Sequence, residues 1–204
     1  MVGHVVAIDG KVMRRSQDCV AGRPAFDLVS AWTTDQQLVL GQLAVAPHSN
    51  EIPAVPALLA LLDLRGAVVT LDAMHCQSST ARAIRSGAAD FVLALKGNQP
   101  TTHAAVETFF AEAQREAWRG IVHQSLQTED AGHDRVEQRR YWTTTDPALL
   151  GDLNPAGQVW PDLGCAGMVE RCRTSEHGTS RETSYYLSSL PGAVADLAPS
   201  VHGH

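Results

Sequence analysis

A mixed α/β fold is predicted for this chain: one sheet flanked by helices and extended by a β-rich insertion after its third parallel strand. Two short apolar runs, VVAI at 5–8 and AVVTL at 67–71, have the unbroken hydrophobicity of strands buried on both faces. Segments of helical period separate later strand-like runs, the pattern of strand-helix-strand crossovers. At 204 residues and 44% hydrophobic content, the chain can bury one sizeable core.

The first run is followed by two more β-rich segments at 25–33 (AFDLVSAWT) and 38–46 (LVLGQLAVA), with Asp35, Gln36 and Gln37 as the turn between them. Three strands at such short spacing make an antiparallel meander. After Ser49 and Asn50, a capping pair, Ile52, Val55, Leu58, Leu59 and Leu62 recur at helical spacing, and Gly66 ends the pattern. Pro53 and Pro56 fall in the first turns, where proline is tolerated.

The second buried strand, 67–71, leads into a short helix at 78–86 that stops at Gly87, and a third strand follows at 90–95 (DFVLAL). Thr101 or Thr102 is the expected cap of a longer helix whose face carries Val106, Phe109, Phe110, Ala113 and Trp118. The order βββαβαβα matches the ribonuclease H-like fold. Beyond Gly120, strands are expected at 134–145, 168–173 and 182–188. The expected division is a core at 1–120, a β-rich insertion at 121–191, and the start of a C-terminal helical region at 192–204.

A net charge of −6 argues against a broad nucleic-acid-coating surface and confines any DNA contact to a local patch. Four widely spaced cysteines, Cys19, Cys76, Cys165 and Cys172, form no CxxC pair and indicate neither a disulfide framework nor a thiolate zinc site. No long apolar run or secretory leader is evident, so a soluble, cytoplasmic bacterial protein with no membrane partner is expected.

Chemistry concentrates where the buried strands end. Asp9 and Asp72 each follow such a run, and parallel strands bring equivalent ends together. Two converging carboxylates supply the oxygen ligands that Mg²⁺ and Mn²⁺ prefer, although an aspartate at a strand end is also a common turn former. Lys96, Asn98 and Gln99 follow the third parallel strand at the same sheet edge, where a lysine could meet a phosphate and the amides orient it, or where they simply form a turn. Lys11, with Arg14 and Arg15, is a second basic cluster that reads as a solvated hairpin or a DNA contact. His75, Cys76, Cys172 and His177 are too irregularly spaced for a structural zinc site.

The words AIDGK (7–11), LVSAW (28–32), VLGQ (39–42), SNEI (49–52), LDAMHCQ (71–77) and LALKGNQ (93–99) occur in that order. Together the chain resembles the DDE transposases of the H-repeat-associated insertion-sequence group, densely over 5–99 and sparsely through 133–137 and YYLSSL at 185–190. The resemblance implies that Asp9 and Asp72 are the first two catalytic acids. In such enzymes the pair binds Mg²⁺ (or Mn²⁺) in a two-metal site and, with a glutamate, drives DNA cleavage by water and strand transfer by the freed 3′-hydroxyl. DNA at insertion-sequence ends, a homodimer or a full-length transposase are the implied partners.

Departures from that pattern set a further expectation. Relatives carry arginine-glycine-histidine-tryptophan and then the glutamate shortly after the YYLSSL-like strand, whereas this sequence reads Val201, His202, Gly203, His204. The third acid is therefore expected to be missing, the chain truncated at both ends, and its transposition poor or absent. Glu137, within HDRVE at 133–137, is a lesser candidate, more readily read as an exposed strand carboxylate near Arg139 and Arg140. The rival expectations are an active nuclease that takes its third acid from elsewhere, and a non-catalytic DNA-binding protein that interferes with a full-length transposase.

Overall fold

The computed structural model describes residues 4–12, 27–45, 53–132, 135–176 and 178–202. Nine strands and five helices follow the order β1 (Val5–Val12), β2 (Asp27–Thr33), β3 (Val39–Val45), α1 (Ala54–Leu59), β4 (Val68–Leu71), α2 (Ser78–Ser86), β5 (Asp90–Leu95), α3 (Pro100–Arg115), β6 (His123–Gly132), β7 (Arg135–Thr144), α4 (Pro147–Leu153), β8 (Cys165–Ser175), β9 (Gly178–Ser188) and α5 (Val194–His202). All nine strands share one sheet in the order β3-β2-β1-β4-β5-β9-β8-β7-β6. β1, β4 and β5 are parallel neighbours, and every other pairing is antiparallel. The first five strands thus have the arrangement of a ribonuclease H-like sheet.

Burial on both faces explains why the central strands are mostly apolar, with Thr70 the buried polar exception in β4. Val6, Ile8, Val69, Leu71, Phe91 and Leu93 join α1, α2 and α3 in one core. Val5, Val68 and Val92 point to the opposite face and pack with Val194, Leu197, Ala198 and Val201 of α5. Side chains alternate along a strand, so the second face also carries Ala7 and Asp9, Thr70 and Asp72, and Ala94 and Lys96.

The hairpins β6-β7 and β8-β9 form the insertion, and β9 returns to the core. Val92 pairs with Ser188 and Leu95 with Tyr185, so core and insertion share one continuous hydrogen-bonded sheet. Buried Ser188 donates through Oγ to the Phe91 carbonyl at 2.7 Å, and the Ser189 hydroxyl accepts from Phe91 N at 2.9 Å while donating to Asp90 at 2.8 Å. The two hydroxyls fasten β9 to β5.

Several boundaries differ from the sequence expectation for identifiable reasons. The first helix ends at Leu59, well before Gly66, whose left-handed φ of 72° instead serves the turn into β4. Its expected cap, Ser49 and Asn50, lies outside the described residues, and Pro53 occupies the N-cap position. α3 starts at Pro100 with Gln99 as its cap, so Thr101 and Thr102 are already helical. Trp118 lies past the end of α3 at φ 60°, where its ring meets Phe110 at 5.8 Å and stacks on His123 at 4.3 Å. α4, unanticipated, is capped by the Asp146 carboxylate, which accepts from Ala148 N and Leu149 N, with Pro147 at N1.

Candidate active site

Parallel pairing decides where the two aspartates stand. β1 and β4 run in register from Val5↔Val68 to Ile8↔Leu71, and the next residue on each strand is Asp9 and Asp72. Neighbouring strands lie about 4.8 Å apart, so the two backbones are adjacent and both side chains leave the same face. Asp9 is exposed, and 55% of the Asp72 side chain is open to solvent. Two accessible carboxylates side by side repel each other unless a cation lies between them.

Their supports differ. Asp9 is held inside β1 by its pairing with Ser30 of β2, while Asp72 sits where β4 ends in an extended conformation (φ −69°, ψ 172°) and a 3₁₀ turn, Ala73–His75, begins. His75 folds inward, 1% exposed, with Nε2 at 4.0 Å from Asp72 Oδ1. Cys76 is fully buried, and that burial pushes its thiol up to about 12.

Lys96 leaves the same face at the end of β5. It shares with Asp72 a cavity of about 270 Å³ whose far wall carries Arg139, Arg171 and Tyr186, and whose lining includes Ser200 near the C-terminal end of α5. Arg171 is ion-paired with Glu182; hydrogen bonding to Arg171 is the main cause holding the Glu182 carboxyl below its ordinary range, and Lys96 adds to it.

The remaining candidates separate by geometry. Asn98 is exposed and Gln99 half-buried, and each gives a donor to the backbone: Asn98 Nδ2 donates to the Ala73 carbonyl at 2.5 Å, and Gln99 Nε2 donates to the Cys76 carbonyl at 3.0 Å. These donors tie the amides to the turn behind Asp72. Lys11 lies in β1 opposite Leu28, and its side chain, with Arg14 and Arg15, is outside the described residues.

Glu137 is buried at 6% exposure, not exposed as expected. Arg139 Nε meets its Oε1 at 2.7 Å, and Arg173 Nε meets its Oε2 at 2.9 Å, leaving both oxygens engaged by guanidinium groups. Burial acts to raise its pKa, but the bonds from Arg173 and Arg139 outweigh that and hold the carboxyl below its ordinary value. Arg140 was the wrong neighbour because residues 137 and 140 point to opposite faces of β7, whereas Glu137 and Arg173 are direct cross-strand partners. Among the described residues, no three His, Cys, Asp or Glu side chains gather as a metal cluster. Sequence reasoning missed the Asn98 and Gln99 contacts; the signal available was a pair of amides at the opening of a helix that already has proline at N1.

Residues 2–183 match the family described as Transposase DDE domain. The chain belongs to this family. Its relatives include a Xanthobacter autotrophicus protein from the dhlA 3′ region, 38% identical over 90% of this chain and 59% of its own length. Two Escherichia coli K12 relatives bear names that propose transposases: YncI is 40% identical over 72% of this chain and 59% of its own length. The H repeat-associated YhhI is 32% identical over 98% of this chain and 52% of its own length. The chain thus spans about half the length of the curated relatives it matches. DDE transposases as a family use divalent metal ions, and the donors here fit one: accessible carboxylate oxygens, adjacent in register, with no thiolate among them. No helix among the described residues is long and apolar enough to cross a membrane.

Proposed function

We propose that this transposase-like chain carries two acids of a DNA strand-cleaving and strand-joining site, Asp9 and Asp72, which hold Mg²⁺ or Mn²⁺. The observation that supports the reading is the register of β1 and β4, whose last pair, Ile8↔Leu71, is followed in each segment by an aspartate. A bound divalent ion would polarise phosphate oxygens and stabilise charge on attacking and leaving oxygens. The chain's own residues contribute position: Asp9 and Asp72 fix where the ion sits, and Lys96, on the same face, meets a phosphate of the DNA. The substrate is DNA at insertion-sequence ends. The protein partner is a second copy or a full-length transposase, and the working compartment is the cytoplasm.

With two acids rather than three gathered among the described residues, the reading has this chain by itself binding the ion weakly and not completing strand transfer. Support comes from α5: residues near its C-terminal end line the same cavity as Asp72, so a carboxylate carried on from that end, or by a partner, reaches the same edge. Manganese binding followed by electron paramagnetic resonance tests the reading. Weak binding is expected, lost in Asp9→Asn and in Asp72→Asn, with no nicking of supercoiled DNA by the chain alone. Binding that is indifferent to both substitutions would sink the metal assignment; nicking abolished by Asp9→Asn would show that two acids suffice.

A further inference from the structure

The backbone that presents Asp72 is held from outside its own strand. The β4-β5 ladder ends at Leu71↔Leu93, one residue short of the aspartate. Past that point the turn closes on itself through His75 N to the Asp72 carbonyl at 3.2 Å and Cys76 N to the Ala73 carbonyl at 3.0 Å. Two consecutive side chains from the loop after β5 then bind its two ends: Asn98 takes the Ala73 carbonyl, and Gln99 takes the Cys76 carbonyl while reaching Gln77 Oε1 at 3.3 Å. Gln99 is itself anchored, its N–H bonded to the Lys96 carbonyl at 3.0 Å and its carbonyl accepting from His103 N at 2.8 Å at the start of α3.

We propose that Asn98 and Gln99 are positioning residues that fix the Ala73–Cys76 turn and thereby hold the Asp72 carboxylate beside Asp9 for a divalent cation. The inference rests on Asp9 and Asp72 being cation ligands. Its physical basis is preorganisation. An aspartate at a strand end, with more than half its side chain in water, has little packing of its own to set its direction. The turn that follows it supplies the direction instead, and the two amide donors hold that turn at its Ala73 and Cys76 carbonyls. Because the tether springs from the loop that follows Lys96, it also joins the backbone beside Lys96 to the turn after Asp72.

The test uses the intact chain, with Asn98→Leu and Gln99→Met, which keep side-chain volume while removing the donor. Manganese affinity is read by electron paramagnetic resonance, and amide hydrogen exchange is read at His75 and Cys76, with Val69 and Phe91 as controls. Each substitution is expected to weaken manganese binding about 10-fold or more, the range for partners that orient a ligand without touching the metal. Faster exchange is expected at His75 and Cys76, with none at the controls. Unchanged affinity in both variants, while Asp72→Asn abolishes binding, overturns the positioning role and leaves the metal site standing. Manganese binding that ignores Asp9→Asn and Asp72→Asn, or its absence from the unsubstituted chain, overturns both. Loss of protection at the controls marks general unfolding; Asn98→Ser and Gln99→Ser, which retain a hydroxyl donor, then decide, and wild-type affinity without protection at His75 counts against the tether.

Discussion

Asp9 and Asp72 occupy equivalent positions on neighbouring parallel strands, one residue past the Ile8↔Leu71 pair, with both side chains on the face that α5 covers. Like charges so placed destabilise the sheet in the absence of a counter-ion. In chelator, Asp9→Asn and Asp72→Asn are therefore expected to melt at or above the wild-type temperature. Millimolar Mn²⁺ should raise the melting temperature of the wild type but of neither variant, since only a ligand that binds the folded state stabilises it. A thermal shift series with and without the ion reads both effects.

Glu137 is clamped between Arg139 and Arg173, and Glu137→Gln is expected to cost about 1.5–3 kcal/mol at neutral pH, the range for hydrogen bonds to charged groups. The sign with pH follows from a folded-state pKa below the ordinary one. The contribution is complete above the unfolded value of about 4.3 and disappears as pH falls through the lower folded value. Urea midpoints of wild type and Glu137→Gln should consequently stay apart from pH 8 to 5 and converge in stronger acid.

Gly164 sits where no side chain fits. A Cβ there would lie 2.3 Å from the Leu190 carbonyl oxygen and 2.8 Å from that of Ser189, both backbone atoms that cannot move cheaply. Gly164→Ala is expected to destabilise by about 1–3 kcal/mol or more. Gly97→Ala, with nothing within 4 Å of its Cβ, should be close to neutral in the same urea titration.

Burial raises the thiols of Cys76 and Cys165 to about 12. Only the thiolate attacks a disulfide reagent, so at pH 8 these two should react with dithionitrobenzoate only as the protein unfolds. Cys172, half-buried and on β8, should react ahead of them in the native protein. A two-phase release of thionitrobenzoate, merged into one fast phase by denaturant, is the expected trace.

The central architecture was legible because buried parallel strands leave an unambiguous signature. The runs at 5–8, 67–71 and 90–95 are apolar except for Thr70 and the leading Asp90, so no alternation confuses the period, and α2 and β5 fall at the expected residues. β6 was invisible for the opposite reason. His123–Gly132 is polar on both faces, and it is a strand because it lies at the sheet edge and borrows the register of β7. The Asp146-Pro147 pair did announce α4, and a closer reading of cap chemistry would have found it.

The site was legible as residue types but not as contacts. Asp9 and Asp72 could be paired from strand ends alone, because parallel register follows from the hydrophobic runs. Asn98 and Gln99 could be placed at the correct edge, yet a sequence cannot say whether an amide faces water or a carbonyl. Glu137 was misjudged because the partner that buries it, Arg173, comes from a different strand.

The return of β9 to β5 has a consequence for how the protein is made. Asp9 and Asp72 can meet as soon as the first part of the chain has left the ribosome, since β1 and β4 are both early. The second edge of β5 has to wait for Tyr185 to Ser188, on the order of ten seconds later at ordinary rates of synthesis. Through that interval the apolar strand ending in Lys96 presents unpaired N–H and C=O groups, the kind of edge that captures a foreign strand. The nascent protein is most exposed to mispairing beside Asp72 and Lys96, and the last hairpin acts as the seal that ends the danger.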